Sequence, residues 1–475
     1  MHWLLAVALL LLAACAHAQT LSGATLSGSK IGPEPQLAVL VILSDDFGTT
    51  SDERYGSTDP DVSLSMPALD TMESQGLRFT AGLGVGQACA VTRAMLYQGI
   101  YNQEFGIYGA IGYDSYVYAE DNALGVLASA AGATTALTGK MPFPAIDDPV
   151  DPGWGPALDG WQYFSANNDT GPADYSNWTR YYGTPESFAA SPHDGTFNPY
   201  AQAMTTYVDE DNTDRLLAYY ATRDRTKRWL GILNLHNIHS AIHDPTKAAP
   251  HDATSCTDTD DECLQRMATK MDEMVDRVLD ATAGQNTIVI FTSDNGSAKA
   301  GEKSTGNEAG LWVPFYAVGP GISPDTPSDR VTVADLHATL ADLMGVTSYG
   351  GSATLRGYSI AASHLGQTCG FTGRCFASRT GEWVVSRNAT AERIVYDFED
   401  QPNYKLKVNF TTGVASLHDI SAYNPGDGTE PADLCGGDGC TIAGDGLSAG
   451  QQAAYTELCA IYASWDTGET ACGAL

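Results

Sequence analysis

Residues 86–99 read GQACAVTRAMLYQG, with Cys89 four positions ahead of Arg93 at the head of a helix-like run. A cysteine placed there is half of a disulfide, a buried thiol or the reactive atom of an enzyme. Of the ten cysteines, Cys15 falls in an N-terminal apolar segment, and eight others lie in close pairs: Cys256 with Cys263, Cys369 with Cys375, Cys435 with Cys440, and Cys459 with Cys472. Local pairing is one of many connectivities open to eight cysteines. In an oxidising compartment it leaves Cys89 as the odd thiol.

Hard oxygen ligands gather at two other places. Asp45 and Asp46 end the run QLAVLVILSDDFG, and Asp294 with Asn295 ends NTIVIFTSDNG. If these tails converge, each close carboxylate pair repels by roughly 4 kcal/mol at about 4 Å in an effective dielectric of about 20. A divalent cation removes that penalty, and oxygen-only ligation favours Ca²⁺ or Mg²⁺ over zinc. Singly, DD and DN are ordinary turn and cap sequences, so the chemistry depends on what brings them together.

The elements implied are those of an α/β protein. QLAVLVILSDDFG, RWLGILNLHNIH and NTIVIFTSDNG are apolar runs bounded by polar residues, as expected of strands buried on both faces of a parallel sheet. Ligand sites in such sheets collect at the carboxyl ends. Between the second and third runs, LQRMATKMDEMVDRVLDAT carries Met267, Met271, Met274, Val275 and Val278 at helical spacing, which reads as a core-facing stripe. A large, mostly parallel sheet flanked by helices follows. From about residue 367 the texture changes: GEWVVSRN, ERIVYDFED, YKLKVNF and ASLHDIS predict a small antiparallel sheet, and SAGQQAAYTELCAIYASW a final helix.

Composition narrows the setting. Asp plus Glu number 57 against 25 Lys plus Arg, for a net charge of -32, so nucleic-acid binding through a basic surface is excluded. The apolar run Trp3–Ala14 followed by Ala16-His17-Ala18 has the shape of a secretory signal cleaved before Gln19, although its first residues lack Lys and Arg. A lipoprotein signal ending at Cys15 is the alternative. The expected organisation is a signal peptide over 1–18, a catalytic domain over 19–366 and a small α+β subdomain over 367–475, in a secreted or periplasmic protein.

In their order along the chain these motifs resemble the sulfatases of the alkaline phosphatase superfamily. VILSDDFG is similar to the family's first metal motif, MPALDTMESQGLRFT to T-P-N-L-D…G-x-x-F-T, and CAVTRAMLYQG to C-x-P-x-R-A-x-L-x-T-G, whose cysteine is oxidised to formylglycine. ALTGK resembles G-K-W-H, HNIH resembles H-A-P-H, and TIVIFTSDNG resembles T-x-x-x-F-T-S-D-N-G. GEKSTGNEAGLWVP and VADLHATLADLMG are similar to the two motifs that close the family's catalytic region.

The resemblance implies one Ca²⁺, or Mg²⁺, held by Asp45, Asp46, Asp294 and Asn295, with residue 89 as formylglycine completing the shell. Arg93 would steady that residue, and Lys140, His239 and Lys303 would bind substrate. His239 is taken because it ends HNIH, while His236 and His243 read as turn or core histidines. Asn295 also opens an N-G-S sequon, which metal ligation would preclude from glycosylation. A sulfate monoester carries negative charge that repels nucleophiles, so the reaction needs a cation and fixed positive charge around its oxygens. A hydrated aldehyde at residue 89 offers two geminal hydroxyls. One attacks sulfur and displaces the alcohol, and the other expels sulfate as the aldehyde re-forms. His239 or Lys303 protonates the leaving oxygen. The implied partners are a sulfate ester substrate and a formylglycine-generating enzyme during maturation; no oligomeric state is implied.

Three positions depart from the family pattern. Val91 stands where proline or alanine assists recognition by the modifying enzyme, Pro142 where a histidine contacts the formylglycine, and Trp312 where an arginine is usual. Three readings therefore stand: a working sulfatase, a relative acting on phosphate or phosphonate esters, and a non-catalytic binding protein that keeps the Cys89 thiol. Substrate choice would rest on variable loops such as the aromatic-rich stretch 148–183. The acidic surface argues against electrostatic capture of highly sulfated polymers.

Overall fold

The structure, a computed structural model, describes residues 34–465 apart from 58–64, 106–107, 110–122, 142–159, 168–172, 184–199, 257–259, 298–302, 350–354, 379–382, 388–391, 398–399, 410, 426–428, 437–439 and 441–444. The N-terminal apolar segment with Cys15, Pro142 and Cys472 lie outside the described residues. In chain order the strands are β1 (Ala38–Ser44), β2 (Leu77–Arg78), β3 (Ala81–Leu83), β4 (Thr134–Lys140), β5 (Tyr163–Asn167), β6 (Trp178–Gly183), β7 (Tyr200–Met204), β8 (Trp229–Asn234), β9 (Thr287–Ser293), β10 (Trp312–Val313), β11 (Phe315–Val318) and β12 (Arg330–Thr332). Toward the carboxyl end follow β13 (Trp383–Arg387), β14 (Glu392–Asp397), β15 (Tyr404–Asn409) and β16 (Ala415–Asp419).

Nine strands form one sheet in the order β2-β11-β9-β1-β8-β4-β5-β6-β7. The expected parallel arrangement holds for the centre, where β9, β1, β8, β4 and β5 are parallel neighbours. Both flanks are antiparallel, β11 and β2 on one side and β6 and β7 on the other. β1 explains its own place: Val39, Val41 and Leu43 enter one core layer, and Ala38, Leu40 and Ile42 the other, because successive side chains point to opposite faces. Leu336, Leu340 and Leu343 of the helix Val333–Leu343 cover the first layer. The helix Asp260–Thr282 covers the second, with Met267, Met271, Met274, Val275 and Val278 all buried there, as their spacing predicted. The same helix turns Asp272 toward the start of Pro67–Gln75, whose own N-cap residue offers no side-chain bond. The Asp272 carboxylate accepts from the Ala68 and Leu69 amides at 2.9 and 3.1 Å, satisfying donors that a helix start leaves open.

The aromatic stretch read as a loop over 148–183 is in part sheet, since its described residues include β5 and β6. β6 is half-exposed and rich in Tyr and Trp, so it lacks the continuous apolar signature that marks the central strands. The four short C-terminal segments form the antiparallel sheet β13-β14-β15-β16. The helix Ala449–Ser464 packs Tyr455, Leu458 and Tyr462 on its Leu406, Val408 and Leu417. A reciprocal Ser448–Gln451 capping box starts that helix. Disulfides join Cys256 to Cys263, Cys369 to Cys375, and Cys435 to Cys440. Cys459 is also disulfide-bonded, and Cys89 is a free, buried thiol. Among the described residues no helix is long and apolar enough to cross a membrane.

Candidate active site

Strand register assembles the site. Ser44 pairs with Ser293 across β1 and β9, Leu43 with Asn234 across β1 and β8, and Gly139 with Asn234 across β4 and β8. The residues that follow, Asp45, Asp294, Leu235 and Lys140, therefore emerge side by side at the carboxyl edge of four parallel strands. Gly139 permits this crowding, with φ of +92° and a backbone so near Asn234 that a Cβ would lie 1.8 Å from its carbonyl oxygen. Over this edge comes the loop into the helix Cys89–Gln98, whose first residue is Cys89. A Cβ on Gly84 would stand 2.5 Å from the Asp294 carbonyl, so the loop's close approach requires glycine there.

Arg93, one turn into that helix and fully buried, ties the strand tails together. Its Nε donates to Asp294 Oδ2 at 2.9 Å, Nη1 to Asn234 Oδ1 at 2.8 Å and Nη2 to Asp45 Oδ2 at 3.1 Å. Lys140 Nζ also donates to Asp45 Oδ2. Lys303 Nζ lies 2.7 Å from Asp46 Oδ1 and 4.0 Å from Asp45 Oδ1. Asn295 Nδ2 donates to Asp46 Oδ1 at 2.7 Å, and His239 Nε2 lies 3.8 Å from Asp46 Oδ2. Asp46 holds a left-handed backbone, with φ of 57°, uncommon outside glycine and a mark of functional sites. Asp45, Asp46, Arg93, Lys140, His239, Asp294, Asn295 and Lys303 thus lie together at this edge, and Cys89 heads the helix laid over it, near enough for the Lys140, Asp45, Lys303 and Asp294 charges to act on its thiol.

The electrostatics follow from burying these charges together. Burial raises the Asp45 pKa, but Lys140, then His239, Arg93 and Lys303, hold that carboxyl well below the usual range. Burial and the Asp45 charge push Asp294 up to about 6, and the same causes raise Asp46. Burial, then Lys140, lowers His239 to about 4. Its Nδ1 lies 2.7 Å from the Ser240 carbonyl, which only accepts, so Nδ1 carries the proton and Nε2 presents its lone pair toward Asp46. Burial raises the Cys89 thiol. Lys303 is raised against the effect of burial, foremost by Asp45.

Ligand atoms of Asp45, Asp46 and His239 lie within 4.8 Å of one another. Asp45 Oδ1, Asp46 Oδ2 and Asn295 Oδ1 are buried without a hydrogen-bond partner. Unpaired buried oxygens on three neighbouring residues are costly and suit an oxygen-seeking divalent cation.

Three contributors escaped the sequence reading. Asn234 bridges Arg93 and Tyr97, accepting from both at 2.8 Å; it stands at the tail of β8, where the logic applied to Asp45 and Asp294 would have found it. Asp209 accepts from the amides of His236 and Asn237 at 2.9 and 3.0 Å and meets His236 Nδ1 at 2.9 Å. Tyr175 donates to the carbonyls of His236 and His239 at 3.0 and 2.6 Å. Together they hold the turn that carries His239. His243 packs on Tyr175 with ring centroids 4.3 Å apart, consistent with a core histidine.

A mostly parallel sheet that presents acidic strand tails beneath a cysteine-headed helix is an α/β protein with its candidate ligand site at the carboxyl ends of the strands. The sulfatase family model matches residues 38–346, and the chain belongs to that family. It is 24% identical over 348 residues to an arylsulfatase of Hemicentrotus pulcherrimus, covering 65% of this chain and 58% of that protein's length. Among solved structures, Ps i-CgsB in complex with k-i-k-neocarrahexaose aligns with a TM-score of 0.64 at 16% identity, over 91% of this chain and 93% of that one. BT4656, in complex with its substrate D-glucosamine-2-N,6-O-disulfate, aligns with a TM-score of 0.61 at 16% identity, over 91% and 98%. Likeness at that identity establishes the shared fold.

Proposed function

We propose that this protein is an exported sulfatase that hydrolyses a sulfate monoester of a carbohydrate, aryl or other small alcohol, with residue 89 acting as formylglycine. The observation that carries the reading is the meeting of Asp45, Asp46, Asp294 and Asn295 at one buried edge, with Arg93, Lys140 and Lys303 interleaved among the carboxylates and the buried Cys89 thiol within reach of their charges. Asp45, Asp46, Asp294 and Asn295 would hold Ca²⁺, which when bound draws charge from the ester oxygens. Hydrated formylglycine supplies the attacking hydroxyl. Lys140 and Lys303 oppose the charge of the sulfate, Arg93 fixes the ligand carboxylates, and Lys303, which keeps its proton, stands where a leaving oxygen can take one, while neutral His239 contacts the substrate through Nε2. The paired cysteines and the signal-like N-terminus support export. BT4656 and its glucosamine disulfate substrate favour a sugar sulfate among the alcohols named.

The test is the mass of the tryptic peptide from Phe79 to Arg93, taken from protein made in its native host, together with sulfate release from an aryl sulfate. An aldehyde or its hydrate with released sulfate supports the reading. A fully alkylatable thiol on a protein that binds sulfate esters without turnover supports the alternative that Val91 favours, a sulfatase-like binding protein.

A further inference from the structure

Lys140 ends a strand, whereas Lys303 sits in a loop, and the contacts that fix this loop come from two distant parts of the chain. On one side it is tied to the cysteine segment: Ser304 N donates to Gln87 O at 2.7 Å, Gly84 N to Leu311 O at 2.8 Å, and β10 pairs with β3. On the other side β15 grips it at successive residues. Lys405 Nζ donates to Gly306 O at 3.2 Å and lies 2.9 Å from Glu308 Oε1, and Lys407 Nζ donates to Asn307 Oδ1 at 2.9 Å.

The Glu308 and Lys405 side chains are completely buried. Tyr396 of β14 donates to Glu308 Oε1 at 2.9 Å and Trp312 donates to Oε2. Glu430 joins the network, accepting from Lys405 Nζ at 2.5 Å and from the Glu308 amide at 2.7 Å. A buried carboxylate deprived of its cation takes up a proton or water, and either change moves the turn that begins at Glu308.

We infer that Lys405 is a positioning residue of the active site: through Gly306 and Glu308 it sets where the Lys303 ammonium stands beside Asp46. The C-terminal sheet is then part of the catalytic apparatus. This inference rests on the reading of Lys303 as a substrate contact.

A double-mutant cycle tests it. kcat/KM for an aryl sulfate is measured for the unaltered enzyme, Lys405→Met, Lys303→Met and the double variant, each first checked for a cooperative thermal transition. Lys405→Met is expected to lose on the order of tenfold in the unaltered background and less than about twofold when Lys303 is already gone, since contacts acting through one residue are non-additive. Equal losses in both backgrounds overturn the inference. If Lys303→Met alone costs nothing, the reading of Lys303 itself fails, a separate result. Should Lys405→Met not fold, Lys407→Met takes its place, because it removes the Asn307 grip and leaves the buried ion pair intact. Its expected loss is several-fold, again confined to the background that keeps Lys303.

Discussion

Two regions bring positive charge to the same carboxylates by different means. Lys140 arrives through register: it follows Gly139, which is paired with Asn234, and no contact from outside the sheet is needed to place it. Lys303 arrives on a loop gripped by β15, about 100 residues further along the chain. The strand-borne half is fixed once the sheet forms. The loop-borne half depends on how the C-terminal sheet docks, and can be tuned without disturbing the strand tails.

The largest effect falls where both halves meet. Cys89→Ala removes the proposed nucleophile, and its expected cost is on the order of 10⁴-fold in kcat, with Tm little changed because a small buried side chain is exchanged for a smaller one. Sulfate release at saturating substrate measures it. Arg93→Met acts on the strand-borne half alone and is primarily a stability variant. It leaves Asp45 and Asp294 buried without their shared guanidinium, and removal of one partner from a buried pair costs about 3–5 kcal/mol. Denaturant unfolding should record that loss. Lys303→Met should lower activity and also cost stability, by less than Arg93→Met, because it strips one partner from the buried Asp46 but leaves that carboxylate its Asn295 bond, and the lysine itself keeps some exposure to water.

The same division governs what was legible in the sequence. β1, β8 and β9 announced themselves as uninterrupted apolar runs because both their faces are buried, and their tails carried Asp45, Asp46, Asp294 and Asn295 into view. β6 was lost within a stretch read as loop, since one antiparallel neighbour on each side and partial exposure leave it a mixed composition. Lys303 was found by its motif, but YKLKVNF read as a strand and nothing more. The role of Lys405 exists only once Gly306 and Glu308, far away in sequence, are folded against it. Asp209 and Tyr175 were missed for the same reason, as each acts on backbone groups of a remote turn.

Support beneath the cysteine helix gives a pH-dependent test. His337 is buried on the helix Val333–Leu343, with Nδ1 2.8 Å from the Leu96 carbonyl, and burial lowers it from 6.5 to about 4. Its folded pKa lies below the unfolded value, so its contribution is fully present above pH 6.5 and is lost as pH falls toward 4, by up to about 3 kcal/mol. His337→Leu should flatten the acid limb of stability against pH across that window; an unchanged limb would assign the acid sensitivity to other groups.

The proposed Ca²⁺ should act on the strand tails with a similar magnitude. At about a hundredfold excess over its Kd, a ligand bound only by the folded state adds about 2.7 kcal/mol. Chelation is therefore expected to lower Tm and abolish activity together, with Ca²⁺ restoring both, and activity that survives exhaustive chelation would remove the metal from the account. Asp46→Asn should blunt the calcium-dependent gain in Tm more than Lys303→Met does, because it alters a proposed ligand directly.

The smallest effect concerns the turn that carries His239. Tyr175→Phe keeps the ring packed against His243 and removes only the hydroxyl that donates to the His236 and His239 carbonyls. Loss of such bonds costs about 1 kcal/mol in stability, whereas the effect on catalysis depends on whether His239 is held by that hydroxyl or by the Asp209 bonds on the other side of the turn. With Asp209 intact, a drop in kcat of about fivefold or less is expected, accompanied by little change in KM. A much larger drop would mean that Tyr175 is to His239 what Lys405 is to Lys303, and that even the strand-borne half of the site leans on a remote contact.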